Sequence, residues 1–313
     1  CNMLRCWGGG VYEDDSFFDF CDRNGVLVWQ DFAMACARYP QDETFLSAMR
    51  EEAEAVVARI RHHASLAVWC GDNECDDEWP DPRQNRITRE ILLQVLERLD
   101  PGRPYVPSSP YWSPESVEHA PRPRGVLRRN DLDLLPERHL WGPRDYFKSD
   151  MYTQHKAHFV GEIGYSGVPN ISSIRRFIDE DHLWPPYGDR QWFVHATDPL
   201  AGDGPWAYRI DLFRRQITEL FGSAPDNPED FVRASQVSQA EAKKFFVEMT
   251  RLRKWRRTGV LWWNVADGWP QFSDCLVDYF FGKKLAYYYV RRVHQPVCIM
   301  VDELENWYHR VVV

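Results

Sequence analysis

The chain has 313 residues, 44% of them hydrophobic, with 38 basic against 47 acidic side chains and a formal net charge of −9. That length accommodates one barrel-sized core of about 250 residues plus extensions, while the acidic balance argues against a nucleic-acid or anionic-membrane partner held by bulk electrostatics. No uninterrupted apolar run is long enough to predict a membrane-spanning helix. Apolar, β-branched or aromatic runs follow one another along the chain: NMLRCW at 2–7, GVLVWQDF at 25–32, SLAVWCG at 65–71, RPYVPSS at 103–109, HLWG at 139–142, HFVGEIG at 158–164 and GVLWWNV at 259–265. These are seven candidate strands. Between them, ETFLSAMREEAEAVVARIRHH places Phe45, Met49, Val56, Val57 and Ile60 near one helical face, and ITREILLQVLERLDPG reads as a helix stopped by Pro101 and Gly102. Strands alternating with helices predict an α/β fold with a parallel sheet.

The connection from about 165 to 258 is too long for a simple loop. It holds the Pro/Trp-rich stretch HLWPPYGDRQW and helical patterns near 205–222 and 228–256, so it is expected to be an inserted subdomain or lid. After Pro296, VCIMV reads as the first strand of a following β-type domain, which sets the expected boundaries at 1–295 and 296–313. The basic run RLRKWRRTG at 251–259 fits a solvated helix face.

Eight cysteines, at 1, 6, 21, 36, 70, 75, 275 and 298, form no compact disulfide framework and are read as mostly buried thiols. Cys70 and Cys75 have no second pair at a zinc-site spacing. WGGG at 7–10 lacks the Lys and Ser/Thr that complete a phosphate-binding loop, which favours close backbone packing. His62, His63 and His139 are each expected to be satisfied hydrogen-bonding residues rather than proton shuttles.

Two of the β-type runs lead into a carboxylate: SLAVWCGDNE closes on Glu74, and HFVGEIG carries Glu162. Such acids at the C-terminal ends of barrel strands stand where (β/α)₈ enzymes do their chemistry. A pair of them suffices to cleave a glycosidic bond, one as protonated acid and one as nucleophile. The fourteen Trp and fourteen Tyr would supply stacking surfaces for sugar rings, although most belong to the core.

The stretches NMLRCWGGGVYEDDSFFDFCDRNGVLVWQDFAMACARYP, ASLAVWCGDNE, DPGRPYVPSSPY, FVGEIGYSGVP and GVLWWNVADGWPQFSDCLVDYFFGKKLAYYYVRR together resemble the catalytic barrel of family 2 glycoside hydrolases, on its β-mannosidase and exo-β-glucosaminidase branch. The resemblance implies a (β/α)₈ TIM barrel, incomplete because its first strand would precede this segment, followed by the start of a β-sandwich domain. In that family an Asn-Glu pair ends the fourth strand and its Glu is the acid/base; Asn73 and Glu74 match it, with Asn73 facing the sugar 2-hydroxyl. The family's Ser-Glu-Phe-Gly nucleophile block matches Gly161, Glu162, Ile163 and Gly164. Arg5 resembles the arginine that touches the nucleophile. Trp7, Trp29, Asp31, Trp263 and Asp267 resemble positions lining the sugar pocket, with Trp263 as stacking platform and the two Asp binding hydroxyls or bracing the site. Trp141 would sit near the same rim. The family's sixth-strand tyrosine has two candidates, Tyr146 and Tyr152. Neither metal nor organic cofactor is needed for such chemistry, and the expected partner is a carbohydrate substrate.

The pattern also departs from the family. The usual Trp-Gln-x-Asn-Asp becomes Trp263, Asn264, Val265, Ala266 and Asp267; Gly161 replaces a Ser; and Tyr165, Ser166 and Gly167 replace Phe-Gln-Ser. The acid pair is untouched. The expected activity is that of a retaining exo-β-glycosidase acting foremost on β-mannosides, with exo-β-glucosaminidase, β-galactosidase or β-glucuronidase specificity, or a non-catalytic carbohydrate-binding barrel, as alternatives. The start at Cys1 and the family's N-terminal β-sandwich domains lead to the expectation that the segment is cut from a longer protein, any targeting segment lying upstream.

Overall fold

The computed structural model describes residues 1–119, 136–142, 144–196, 209–303 and 307–313. It divides into two compact units: Cys1–His139 with Lys156–Gly161, and Leu140–His155 with Glu162–Val313.

The first unit is built on parallel strands in sequence order, β1 (Met3–Cys6), β2 (Leu27–Asp31), β3 (Leu66–Cys70) and β4 (Tyr105–Val106). Parallel neighbours need a crossover, and here the crossovers are helical. α1 (Asp15–Asn24) starts at Asp14, whose side chain accepts from Phe17 N, and stops at Gly25 in the left-handed conformation, φ 65°. α2 (Glu43–Ile60) starts on Asp42 in the same way. Its buried face is Leu46, Met49, Ala53, Val56, Val57 and Ile60, so Leu46 and Ala53 complete the stripe and Phe45 lies at its margin. A π-helical turn at Ile87–Ile91 leads into α3 (Leu92–Leu99).

These helices bury one face of the sheet, with Val28, Phe32, Leu66 and Trp69 in a common core with α1, α2 and α3. The pleat sends alternate residues to the other face. There Trp29, Val68 and Cys70 pack with Met3, Val106 and Phe159 in a small cluster without helical members. By the same alternation Arg5, two residues after Met3, and Asp31, two after Trp29, belong to that face. Residues 137–139 of β5 (Glu137–Leu140) and 159–161 of β6 (Phe159–Ile163) also belong to this unit.

In the second unit the last residues of β6 meet β7 (Gly259–Trp262), with Trp263 N donating to Ile163 O at 2.9 Å. The long connection supplies its helices, Arg209–Phe221 and Pro228–Leu252, the latter capped by Asn227; residues 205–208 of the first expected helix lie outside the described residues. Val168, Ile174, Trp192, Phe213, Phe231 and Phe272 form its core, with Trp192 stacked on Phe272 at 4.3 Å. Toward the C-terminus, β8 (Met300–Val301) pairs antiparallel with β9 (Val311–Val312). Each of the seven expected strands is present. Among the described residues no helix is long and apolar enough to cross a membrane.

Candidate active site

In the first unit, the ends of β1, β2 and β3 converge on one polar network. Arg5 forms a fork with Asp31, Nη2 at 2.8 Å from Oδ2 and Nε at 3.3 Å from Oδ1. The same Nη2 donates to Asn73 Oδ1 at 2.8 Å. Asp31 is 1% exposed and also accepts from Trp29 Nε1 at 2.8 Å and from Gly8 N at 3.0 Å. Its oxygens are thus spent inside the protein. Trp29 is buried too, stacked on Phe159 at 5.9 Å, which makes it a wall of the interior rather than an open platform.

Glu74 stands on the loop after β3 with φ 57°, in the left-handed region that non-glycine residues rarely occupy. Its backbone is tied down by Glu74 N donating to Ser109 O, and the preceding Asn73 N donates to Met34 O. Below the loop Asp72 is fully buried, accepting from Ser108 Oγ at 2.5 Å and Asn85 Nδ2 at 3.1 Å. Both Glu74 oxygens are engaged: His139 Nδ1 lies 2.7 Å from Oε1, and Cys36 Sγ donates to Oε2 at 3.6 Å. Cys36 in turn accepts from Asn73 Nδ2 at 3.3 Å.

The tautomer of His139 follows from its surroundings. Its Nε2 is 3.3 Å from Arg5 Nη1, which can only donate, and 2.9 Å from Ser109 Oγ. A neutral ring therefore accepts at Nε2 and carries its proton on Nδ1, pointing it at Glu74. Burial pushes the Glu74 carboxyl above the usual carboxylate range, while the Cys36 thiol and Arg5 pull it the other way.

In the second unit, Glu162 near the end of β6 is 7% exposed and accepts from Trp141 Nε1 at 2.8 Å. Tyr146 is exposed, and Tyr152 is buried against Phe246 at 4.8 Å, so the aromatic donor that the structure puts on Glu162 is Trp141. Asp267 is buried and accepts from Gln271 Nε2, Ser273 Oγ and Cys275 Sγ at 2.9, 2.6 and 2.8 Å; burial raises its carboxyl above the usual range. It braces the segment after β7. Trp263 is half-buried at the end of that strand, and Trp7 is half-buried after β1.

No protein-family model matches the chain. The β-mannosidase B of Aspergillus niger is 32% identical over 97% of this chain and 36% of its own length. That of Thermothelomyces thermophilus is 30% identical over 98% of the chain and 37% of its length. Among solved structures, the β-D-mannosidase of Dictyoglomus thermophilum superposes with a TM-score of 0.83 at 30% identity, covering 97% of this chain and 36% of that one. Over nearly its whole length the chain is similar to β-mannosidases of the glycoside hydrolase family 2 type. It spans about a third of the length of these relatives. An exo-chitosanase of Amycolatopsis orientalis, TM-score 0.69 at 20% identity over 96% of this chain and 34% of that one, shares the fold.

Against that family pattern, the loss of the Ser before Glu162 has a physical counterpart. A Cβ at Gly161 would stand 2.0 Å from Glu137 Oε1, which accepts from Gly161 N at 3.1 Å and lies 3.2 Å from Ser109 Oγ. A carboxylate from β5 thus fills the space where a serine side chain would begin. Downstream, Ser166 Oγ donates to Asp274 Oδ1 at 3.0 Å and Gln239 Nε2 donates to Tyr165 O at 2.9 Å, so the altered segment is held from the second unit's own helix and loop.

Sequence reasoning missed His139, Cys36, Ser109 and Glu137. The expectation for His139, a satisfied hydrogen-bonding residue, describes its bonds but misses their target, Glu74. Its signal was its place two residues before Trp141 on the strand preceding β6. His63 fits the plain expectation, with Nδ1 at 2.7 Å from Asp22 Oδ2.

Proposed function

We propose that the chain carries the catalytic machinery of a retaining exo-β-glycosidase that removes terminal β-linked sugars, foremost β-mannosides. The observation that carries this reading is the near-complete coverage of the chain by β-mannosidases at about 30% identity, with Asn73, Glu74 and Glu162 at or near strand ends and burial pushing the Glu74 carboxyl above the usual range. We assign the strands to a (β/α)₈ barrel within 1–295, the connection at 165–258 to an inserted subdomain or lid, and 296–313 to the start of a β-type domain.

Glu74 is assigned as acid/base and Glu162 as nucleophile. A Glu162 oxygen attacks the anomeric carbon as the glycosidic bond breaks, and the Glu74 proton passes to the departing oxygen. The glycosyl-enzyme ester is then hydrolysed: Glu74, now ionised, takes a proton from water as its oxygen attacks the anomeric carbon and releases Glu162. Burial favours the protonated form that Glu74 needs first, and the His139 and Cys36 bonds steady the ionised form it needs second. A hydrogen bond from Trp141 favours the ionised form of Glu162, as a nucleophile requires. Asn73, held by Arg5, is assigned to the sugar 2-hydroxyl, Trp263 and Trp7 to the sugar faces, and Arg5, Trp29, Asp31 and Asp267 to bracing.

Glu162→Ala is expected to abolish hydrolysis of aryl β-mannosides, and added azide to restore turnover by replacing the missing nucleophile. Full activity in that variant would overturn the assignment. A panel of 4-nitrophenyl β-glycosides reads the sugar; no release from any of them would favour the non-catalytic alternative.

A further inference from the structure

The donor to Glu162 has a partner of its own. Arg144 lies over the Trp141 ring, its guanidinium carbon 4.0 Å from the centroid, and is only 9% exposed. A buried guanidinium is costly unless its charge is used. Its nearest anion, Asp274, has Oδ2 3.6 Å from Arg144 Nη1, too far for a direct hydrogen bond, and both atoms are buried without one among the described residues. Asp274 is itself fixed through Oδ1 by Ser166 Oγ, and the Arg144 carbonyl accepts from Gln216 Nε2 at 2.7 Å. Gly164 lets the pieces close up: a Cβ there would meet the Trp141 ring at 2.6 Å and Asp274 Cγ at 2.8 Å. The charge of Arg144 is therefore delivered to the π-face of the ring whose N–H meets the carboxylate.

We propose that Arg144 is a positioning residue for Glu162, acting through Trp141. The stacked guanidinium fixes the plane of the indole so that Nε1 meets Glu162 Oε1, and its positive charge on the ring face strengthens that N–H as a donor. The result is an indole donor held in place on the carboxylate of the assigned nucleophile. Asp274 sets how much of the Arg144 charge is left for the ring. Among the described residues of the second unit, the charged groups around Arg144 and Asp274 include Lys243, which faces Asp274 and Lys284; Lys284, bonded to Gly167 O and Ser273 O; and Asp145 beside Arg144, paired with Arg215. Burial holds the Lys243 amine down at about 8, far from the acid limb of a pH profile.

This inference rests on Glu162 being the nucleophile, and the acid limb of kcat/KM against pH reads that group in the free enzyme. Arg144→Gln is expected to move the limb to higher pH by about half to one unit, because the ionised form loses support. Arg144→Lys, which keeps a cation over the ring, should hold it within about a third of that shift. Asp274→Asn should move the limb the opposite way, since the guanidinium charge is then less neutralised. With Trp141→Phe in place, Arg144→Gln should leave the limb where Trp141→Phe alone puts it. A packing role would lower kcat/KM equally at every pH; a limb unmoved in either Arg144→Gln or Asp274→Asn overturns the proposal. Should Arg144→Gln fail to fold, Asp274→Asn and Arg144→Lys decide it. Failure of azide to rescue Glu162→Ala would overturn the nucleophile assignment itself, whereas rescue with an unmoved limb would overturn the Arg144 proposal alone.

Discussion

The two units hold their key carboxylates by different physics. Around Glu74 the first unit sets a connected polar network, Arg5, Asp31, Asn73, His139 and Cys36, in which each group is bonded to the next and both carboxylate oxygens are engaged. Around Glu162 the second unit sets a stack, Arg144 on Trp141, with one short bond from the indole to the carboxylate. The side chain assigned to change protonation twice per turnover is surrounded by groups able to serve both of its states. The one assigned to stay ionised has a rigid indole donor among its partners. Residue type does not separate the two roles; surroundings do.

The largest expected effect breaks the first unit's network at its root. Asp31→Ala would leave the Arg5 guanidinium buried without its carboxylate, at a cost of about 3 to 5 kcal/mol, and thermal unfolding should show a large fall in Tm. An unchanged Tm would mean that the fork with Asp31 braces nothing. In the second unit the expected sign is the reverse. Lys243 is fully buried, its Nζ without a hydrogen bond among the described residues and 4.4 Å from the Trp262 ring centre, and burial holds its amine at about 8. Because the unfolded chain keeps that proton up to its ordinary 10.5, the charged form costs stability below about pH 8, and the cost fades as pH rises from 8 to 10.5. Lys243→Met should therefore raise stability at pH 7 by on the order of 2 to 3 kcal/mol, with the gain shrinking across that window. A gain independent of pH would assign it to packing instead.

A smaller effect sharpens the contrast between the two carboxylates. His139→Ala removes the donor on Glu74 Oε1, so the ionised form loses support and the basic limb of kcat/KM should move up. The rate should fall about tenfold, the worth of one hydrogen bond to a charged group. The acid limb should stay in place, whereas Arg144→Gln should move that limb and spare the basic one. If one variant moved both limbs, the two environments would not be separable.

Much of the frame behind this contrast was legible in the sequence, because most of the strands are apolar runs bounded by Gly, Pro or a charged turn and α2 and α3 carry their own periodicity; β5 starts on Glu137 and Arg138, outside the apolar run read there, and α1 carried no such signal. Glu74 and Glu162 stood out for the same reason, as acids in or just after such runs. What fixes the Glu74 environment was not legible. His139 reaches Glu74 across 65 residues and Cys36 across 38, and neither contact leaves any local periodicity. Gly161 looked like a lost serine until Glu137, 24 residues away, was seen to fill its place. Asp31, Trp29 and Asp267 were legible as site residues, but whether they face the sugar or the interior depends on burial, and all three are buried.

The central claim, that Glu74 gives a proton and Glu162 forms the covalent bond, is tested most directly by comparing two variants on two substrates. Hydrolysis of an aryl β-mannoside with a good leaving group and of an alkyl β-mannoside with a poor one is measured for Glu74→Ala and for Glu162→Ala. The account predicts that Glu74→Ala still cleaves the first glycosidic bond of the aryl substrate while losing the alkyl one, and that Glu162→Ala loses both and regains the aryl substrate with azide. Equal losses on both substrates in the two variants would contradict it.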